Sequence, residues 1–259
     1  MLEVTAAQLD TFIATFIFPA ARILGLMAAT PLFNNRMIPM RVRLIIGLVI
    51  TVAVIPMLPP LPVVSMQSWY ALLIMAQQML IGIAAGFLVR LFFAAVDIAG
   101  EMIGLQMGLS FAVFFSPQTG GQSSVIAEFL GLFTLLLFVA MDGHLMVIQI
   151  ISASFEWLPI GQSPASSAWI FIVRHASVMF AFGVLLALPL ITTLLITNIA
   201  LGVLTRSAPQ LNLFAVGFPV TLSIGFIMVF LCLNLFAPII FTIFERSFLA
   251  VDELLRVMH

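Results

Sequence analysis

Apolar residues fill this chain in long, nearly unbroken runs, near 11–33, 44–64, 70–96, 125–151, 169–200 and 211–244, with a shorter piece at 98–115. A helix needs about 20 apolar residues to cross a bilayer core, so the pattern predicts an all-α membrane protein of about six long helices plus extras. The breakers fall inside the runs. Pro19, Pro56, Pro189 and Pro238 each remove a backbone donor, which predicts kinked or broken helices whose freed carbonyls need other partners. Ser163-Pro164 reads as an N-cap followed by the first helical position of the helix that contains Trp169. At the start, MLEVTAAQLD lacks the basic region of a cleavable signal peptide. Thr5 and Gln8 instead fit a capping box that opens the first helix. In the tail FERSFLAVDELLRVMH, Phe244, Phe248, Val251 and Leu255 share one stripe, with Glu245, Asp252, Glu253 and Arg256 turned away, predicting an amphipathic helix outside the apolar zone.

Composition sharpens this picture. Of 259 residues 63% are hydrophobic and 7% charged, against about a quarter charged in a soluble domain. Every side chain counted as basic is arginine, and the net charge of −1 leaves no electrostatic footprint for nucleic acid. A single cysteine, Cys232, permits no internal disulfide and no metal or redox motif. Orientation is poorly determined: Arg36, Arg41, Arg43 and Arg206 gather on one side of a six-span topology and Arg174, Arg246 and Arg256 on the other, nearly a tie under the positive-inside rule.

The charges stand in unusual places. Arg22, Arg90, Asp97, Glu101, Glu128, Asp142 and His144 lie in or beside apolar runs, where an ionised group costs about 2.5–3.5 kcal/mol even on the lenient insertion scale. Each must pair, face a bundle interior or line water. If residues 82–108 form one helix, Gly82, Gly86, Gly100, Gly104, Gly108, Arg90, Asp97 and Glu101 all fall within about 100° of its circumference. Glycines at four-residue spacing let another backbone approach closely. Two readings follow: a packing seam with a buried Arg90–Asp97/Glu101 cluster, or the wall of a pathway. Both place protein, not lipid, around this helix. Asp142-Gly143-His144 offers no ligand set with zinc spacing and is expected as a hydrogen-bonded structural pair.

Between two apolar runs sits SFAVFFSPQTGGQSS, residues 110–124. Phe111, Phe114 and Phe115 are followed by Ser116, Pro117, Gly120 and Gly121, with no charge. Unpaired backbone in lipid costs several kcal/mol per group, so the loop belongs inside protein. There the three rings can exclude water and ions as a hydrophobic constriction does, or the loop can be ordinary re-entrant packing. Broken helices with midplane charges also suit a small secondary transporter. Gly108-Leu109-Ser110-Phe111 faintly resembles the serine motif of intramembrane rhomboid proteases, without a second motif that fixes base and oxyanion donors.

Several motifs occur together. MGLSFAVFFSP (107–117), DGH (142–144), LPIG (158–161), LALPLI (186–191) and RSAPQLNLFAVGFP (206–219) resemble the flagellar biosynthetic protein R family over essentially the whole length. Arg206, Pro209, Gln210, Asn212, Gly217 and Pro219 carry the most specific part. Ser116 departs from the aspartate common before the proline in flagellar members. The injectisome homologue is a close relative. The resemblance implies a non-enzymatic subunit of the type III secretion export gate in the bacterial inner membrane, within the flagellar basal body, without catalytic residue, cofactor or metal. It implies a P-type-like helical region (1–205) joined to a Q-type-like hairpin and tail (206–259). It also implies a conical helical assembly with P-type and Q-type subunits, surrounded by basal-body ring proteins, through which unfolded flagellar proteins pass. Residues 110–122 match the position of the family's channel plug.

Overall fold

The computed structural model describes residues 6–34, 38–59, 64–109, 124–208 and 213–258. Every regular element among them is helical: α1 (Ala6–Ala29), α2 (Met40–Val54) with a 3-10 turn at Ile55–Met57, α3 (Trp69–Gln106), α4 (Val125–Ala140), α5 (Gly143–Trp157), α6 (Ser167–Ser207) and α7 (Leu213–Val257). The protein is therefore all-α. Five of these helices are long and apolar enough to cross a membrane, or six spans if α4 and α5 count as one broken span.

The boundaries follow local chemistry more closely than hydropathy does. The run 70–96 and the first part of the piece 98–115 join in one helix of 38 residues, Trp69–Gln106, because nothing between its ends breaks the backbone. The helix stops where Gly108 turns to φ 83. Gly108 N–H then donates to the Leu105 carbonyl and Leu109 N–H to Gly104, both at 3.0 Å, the paired bonds of a Schellman end. Gly108 is thus a cap, not a member of the packing face expected for 82–108. The run 125–151 divides at Asp142, whose φ of 57 is a left-handed conformation that aspartate tolerates better than most residues.

The helix containing Trp169 begins at Ser167, later than the Ser163-Pro164 cap predicted. The Ala165 N–H is engaged elsewhere, donating to the Met258 carbonyl at 3.1 Å. Thr5 of the expected capping box lies outside the described residues. The amphipathic tail is the end of α7, a 45-residue helix that runs through Pro219 and Pro238. Its stripe of Phe244, Phe248, Val251 and Leu255 is buried. Helices α1 and α6 likewise continue through Pro19 and Pro189. Four residues after three of these prolines a hydroxyl donates back to the proline carbonyl: Thr193 at 2.9 Å, Ser223 at 2.8 Å and Thr242 at 3.0 Å. Exposed hydroxyls on apolar helices are satisfied this way within their own turn.

The chain divides into two compact units, Met1–Leu91 with Asp142–Ala176 and Glu245–His259, and Phe92–Met141 with Ser177–Phe244. In the first, Ala14, Phe18, Ile23 and Met27 of α1 pack with Val54, Ala71, Ile74, Phe155 and Ile160. In the second, the rings of Phe93, Phe138 and Phe244 form a mutual cluster with centroids 5.0–5.3 Å apart, tilted or edge-on as aromatic quadrupoles prefer.

Close backbone approach sets the first unit's helix spacing. A Cβ built on Gly82 would lie 1.9 Å from the Arg22 carbonyl oxygen, and one on Gly25 would lie 2.5 Å from that of Met79. Gly82→Ala is therefore expected to lower the yield of folded protein sharply, since backbone must move. Gly202 has nothing within 4 Å of an added Cβ, so Gly202→Ala is expected to be neutral or stabilising by up to about 1 kcal/mol, the ordinary helix-interior difference. Protease resistance of the two variants in membranes checks both.

Candidate functional site

The approach at Gly82 brings an unusual group into the first unit. Arg22 on α1 is fully buried, and its partner Gln78 stands one turn before Gly82 on α3. The guanidinium Nε donates to Gln78 Oε1 at 2.8 Å, and Nη2 donates to the same oxygen. Nη1 donates to the Ser154 carbonyl and hydroxyl oxygens, both at 3.0 Å, and Nη2 to the Leu158 carbonyl at 2.8 Å. These bonds account for all five donors of an arginine fork. The Phe155 ring lies 4.2 Å from the guanidinium carbon, close enough for a cation–π contact.

No carboxylate takes part in this set. Apart from Gln78 Oε1, the acceptors are oxygens at the carboxyl end of α5, where Leu158 is the C-cap. The helix dipole favours a cation there, by up to about 2 kcal/mol in partly buried geometries. The LPIG motif is the turn that makes this possible: Leu158 presents its carbonyl, Ile160 is buried, and Gly161 takes a φ of 97, which a side chain would strain. Gln77 Nε2 donates to the Gln162 carbonyl, and the Ala165 N–H to Met258. Arg256, paired with Asp252 at 2.9 Å, lies over Trp157 at 4.9 Å. The connector between α5 and α6 is thereby tied to α3 and to the end of α7.

The glycine-and-charge face of α3 behaves differently in its two halves. In the first unit Gly86 packs on α1: a Cβ there would lie 2.6 Å from the Leu26 carbonyl oxygen. Arg90 is exposed on this chain. In the second unit the face packs on α4. A Cβ on Gly100 would lie 2.3 Å from Ala127 Cα, and one on Gly104 would lie 2.0 Å from Ser124 Oγ. Glu101 is half-buried and accepts the Ser124 N–H at 2.8 Å. Asp97 is exposed, and its Oδ1 would lie 3.4 Å from a Cβ added on Gly131. The glycines of the face are closely packed in both halves, while Arg90 and Asp97 stand exposed.

Residues 13–247 match the family of bacterial export proteins, family 1. The "Flagellar biosynthetic protein FliR" of Escherichia coli (strain K12) is 42% identical over 249 residues, 96% of this chain and 95% of that one. The protein of that name from Pectobacterium carotovorum subsp. carotovorum is 42% identical over 258 residues, 98% of each chain. That of Bacillus subtilis (strain 168) is 29% identical over 255 residues, 96% of this chain and 97% of the other. The chain belongs to the FliR family of bacterial export proteins.

Family motifs now take positions in the fold. Arg206 stands exposed in the last turn of α6, where a cation complements the helix dipole. Gly217 is buried and Pro219 exposed early in α7, while Pro209, Gln210 and Asn212 lie outside the described residues. Phe111, Phe114, Phe115, Ser116, Pro117, Gly120 and Gly121 lie outside them as well. DGH is not the hydrogen-bonded side-chain pair expected. Asp142 caps α5 through its backbone carbonyl, which accepts from Leu145 and Met146, and His144 Nδ1 is buried without a partner. The αL backbone of Asp142 makes the motif a helix break.

Sequence reading marked Arg22 as a charge needing an interior partner but could not find Gln78 or Ser154. The Gln77-Gln78 pair in an otherwise apolar stretch of α3 was the available signal. Arg22→Met is expected to lower the stability of the first unit by at least about 3 kcal/mol, because buried oxygens of Gln78, Ser154 and Leu158 lose their donors at about 1–3 kcal/mol each. Arg22→Lys should rescue only in part, having three donors for five bonds. Arg22→Met with Gln78→Met should cost less than Arg22→Met alone. Thermal-shift midpoints of the membrane-extracted assembly rank the three variants.

Proposed function

We propose that this chain is a subunit of the flagellar type III export gate in which partner subunits, rather than lipid, cover much of the long helices. The observation that carries the proposal is a mismatch of lengths. Helices of 38, 41 and 45 residues are about 57, 62 and 68 Å long at about 1.5 Å per residue. A bilayer core is about 30 Å thick and is crossed in about 39 Å at a steep tilt of about 40°. Large exposed apolar side chains nevertheless extend along α6 from Trp169 to Leu204 and along α7 from Val216 to Leu249, bands of about 50 Å each. Lipid covers only part of such a band, and water is a poor cover for the rest.

P-type and Q-type subunits and basal-body ring proteins supply that cover in this reading, and Arg90 and Asp97 find their buried surroundings there. The assignment of 1–205 as P-type-like and 206–259 as Q-type-like concerns which subunits those segments resemble; the two compact units cut across it. Residues 110–122 seal the closed channel with Phe111, Phe114 and Phe115 as the water-excluding part, a role supported by an aromatic, charge-free composition. Unfolded flagellar proteins are the cargo, and the chain itself carries out no chemistry. Family membership disfavours the transporter reading.

Expressed alone, the chain is expected to aggregate or be degraded, and co-expression with P-type and Q-type subunits to rescue it. Size-exclusion profiles decide the matter, and a monodisperse lone monomer contradicts the proposal. Deleting 110–122, or replacing the three phenylalanines by alanine, is expected to leave assembly intact while the membrane becomes leaky to small ions. A deletion complex as tight as the parent, at equal assembly, would move the seal to another subunit.

A further inference from the structure

Helix α6 carries one stripe that differs from the apolar surface around it. Val184, Leu188, Ile191, Leu195, Asn198 and Gly202 follow one another at alternating steps of four and three residues, which puts them within about 80° of the helix circumference. All but the half-buried Ile191 are exposed. Alternating steps of this kind make the 3.5-residue repeat along which two helices pack side by side. The stripe is about 27 Å long at about 1.5 Å per residue.

Two of its members are out of character for this chain. Gly25, Gly82, Gly100, Gly183 and Gly225 each have a neighbouring heavy atom less than 3.0 Å from an added Cβ, whereas Gly202 has nothing within 4 Å. Asn198, four residues earlier, is exposed and has no hydrogen-bond partner among the described residues. The hydroxyls of Thr193, Thr197 and Thr205 on the same helix donate to carbonyls of their own turn at 2.9, 2.9 and 3.0 Å. The Asn198 amide keeps its donors and its acceptor unmet, in a band whose large exposed side chains, Leu195, Ile196, Ile199 and Val203, are apolar. Lipid tails offer such an amide nothing. Small residues and polar side chains are instead what membrane helices use to pair with each other.

On the reading that partner subunits cover α6, we propose that this stripe seats one helix of another subunit, drawn close at Gly202 and held in register by Asn198. A single asparagine in an apolar seam fixes register at some cost in stability, because any slip leaves its amide unpaired. The chemistry of the occupant follows from the stripe. It presents apolar residues at the same repeat, a small residue opposite Gly202, and opposite Asn198 an amide or hydroxyl that both gives and accepts. Arg206, exposed one turn beyond Gly202, calls for a carboxylate or the carboxyl end of a helix there. A second copy of this chain aligned in parallel would bring two Arg206 side chains together, so a different subunit is the better match.

The test uses the complex co-expressed with P-type and Q-type subunits. Its readouts are the size-exclusion yield and crosslinking from a benzophenone side chain placed at Leu195, with the same probe at Phe230 of α7 as reference. From Leu195 the expected adduct is with one apolar helix of a partner subunit, in a segment that holds a small residue. Gly202→Leu is expected to lower the yield of assembled complex about tenfold or more, the effect of overpacking a close approach. Ala200→Leu, exposed on the opposite side of α6, is expected to lower it about twofold or less, the range of an ordinary surface change. Asn198→Leu should keep the yield but spread the Leu195 adducts over more than one turn of the partner, and Asn198→Gln should keep them at the parental position. Equal losses at 202 and 200 overturn the close approach, and parental adducts in Asn198→Leu overturn the register role. A Leu195 probe that reacts only with lipid or with a second copy of this chain, while the Phe230 probe reacts with partner subunits, overturns the seat and leaves the cover of α7 standing. If neither probe reacts with a partner subunit, the covering reading fails and the seat fails with it.

Discussion

A buried guanidinium without a carboxylate sets the terms for the first unit. Moving a charge from water into a low-dielectric interior costs several kcal/mol even after relaxation, so Arg22 is tolerable only where every donor is received. Gln78 alone receives two, and the end of α5 receives the other three. This requires α1, α3 and α5 to be in register at once. A one-turn slip of α3 would remove Gln78, and a longer α5 would close Leu158 into its own helix. The arrangement also explains the buried, unpartnered Nε2 of Gln78: turning the amide oxygen toward Arg22 leaves its amino group without an acceptor. One unsatisfied neutral donor is the smaller cost.

Glycine makes that register reachable. The arginine fork spans a short distance, and the close approaches at Gly25, Gly82 and Gly86 bring α1 against α3. The same device recurs in the second unit, where Gly183 faces the Ala95 carbonyl oxygen at 2.9 Å from an added Cβ and Gly225 faces Met107. In membranes, helices gain little from hiding apolar surface from one another, so close packing of small residues and a few interhelical hydrogen bonds carry association. Arg22 and Glu101 are two such polar contacts, each beside a glycine. Each also ends on the terminus of a short helix, the carboxyl end of α5 and the amino end of α4.

Much of this could be read in the sequence because apolar runs of this length have few alternatives to helix. The stripe from Phe244 to Leu255 and the glycine face of α3 were legible from the helical period. What escaped was decided by single residues acting across distance. Asp142 breaks an apolar run through a left-handed backbone, which hydropathy does not register. Ser163-Pro164 has the chemistry of a cap, but Met258, nearly a hundred residues away, takes the Ala165 N–H and the helix starts later. Gly108 obeyed the face periodicity and was nonetheless a terminator, because a glycine beside a helix end serves as well for capping as for packing. Arg22 declared its need but not its partners, since glutamine and serine carry no periodic signature.

These contacts divide the labour of a membrane subunit in a definite way. Polar groups that fix the fold are turned inward and bonded within the chain, as at Arg22, whose five donors are all received. The outward surfaces of α6 and α7 are apolar for a length that exceeds one bilayer core, so their free energy is completed by whatever lies against them. On the proposed reading, such a chain sets its interior register by itself and leaves its outer stripes for partner subunits to cover. Substitutions at Gly82, Arg22 or Gln78 therefore act on folding before any partner arrives. On the same reading, substitutions on the outer stripes, such as Ile196 or Phe230, act on assembly, because those exposed side chains contribute little to either unit.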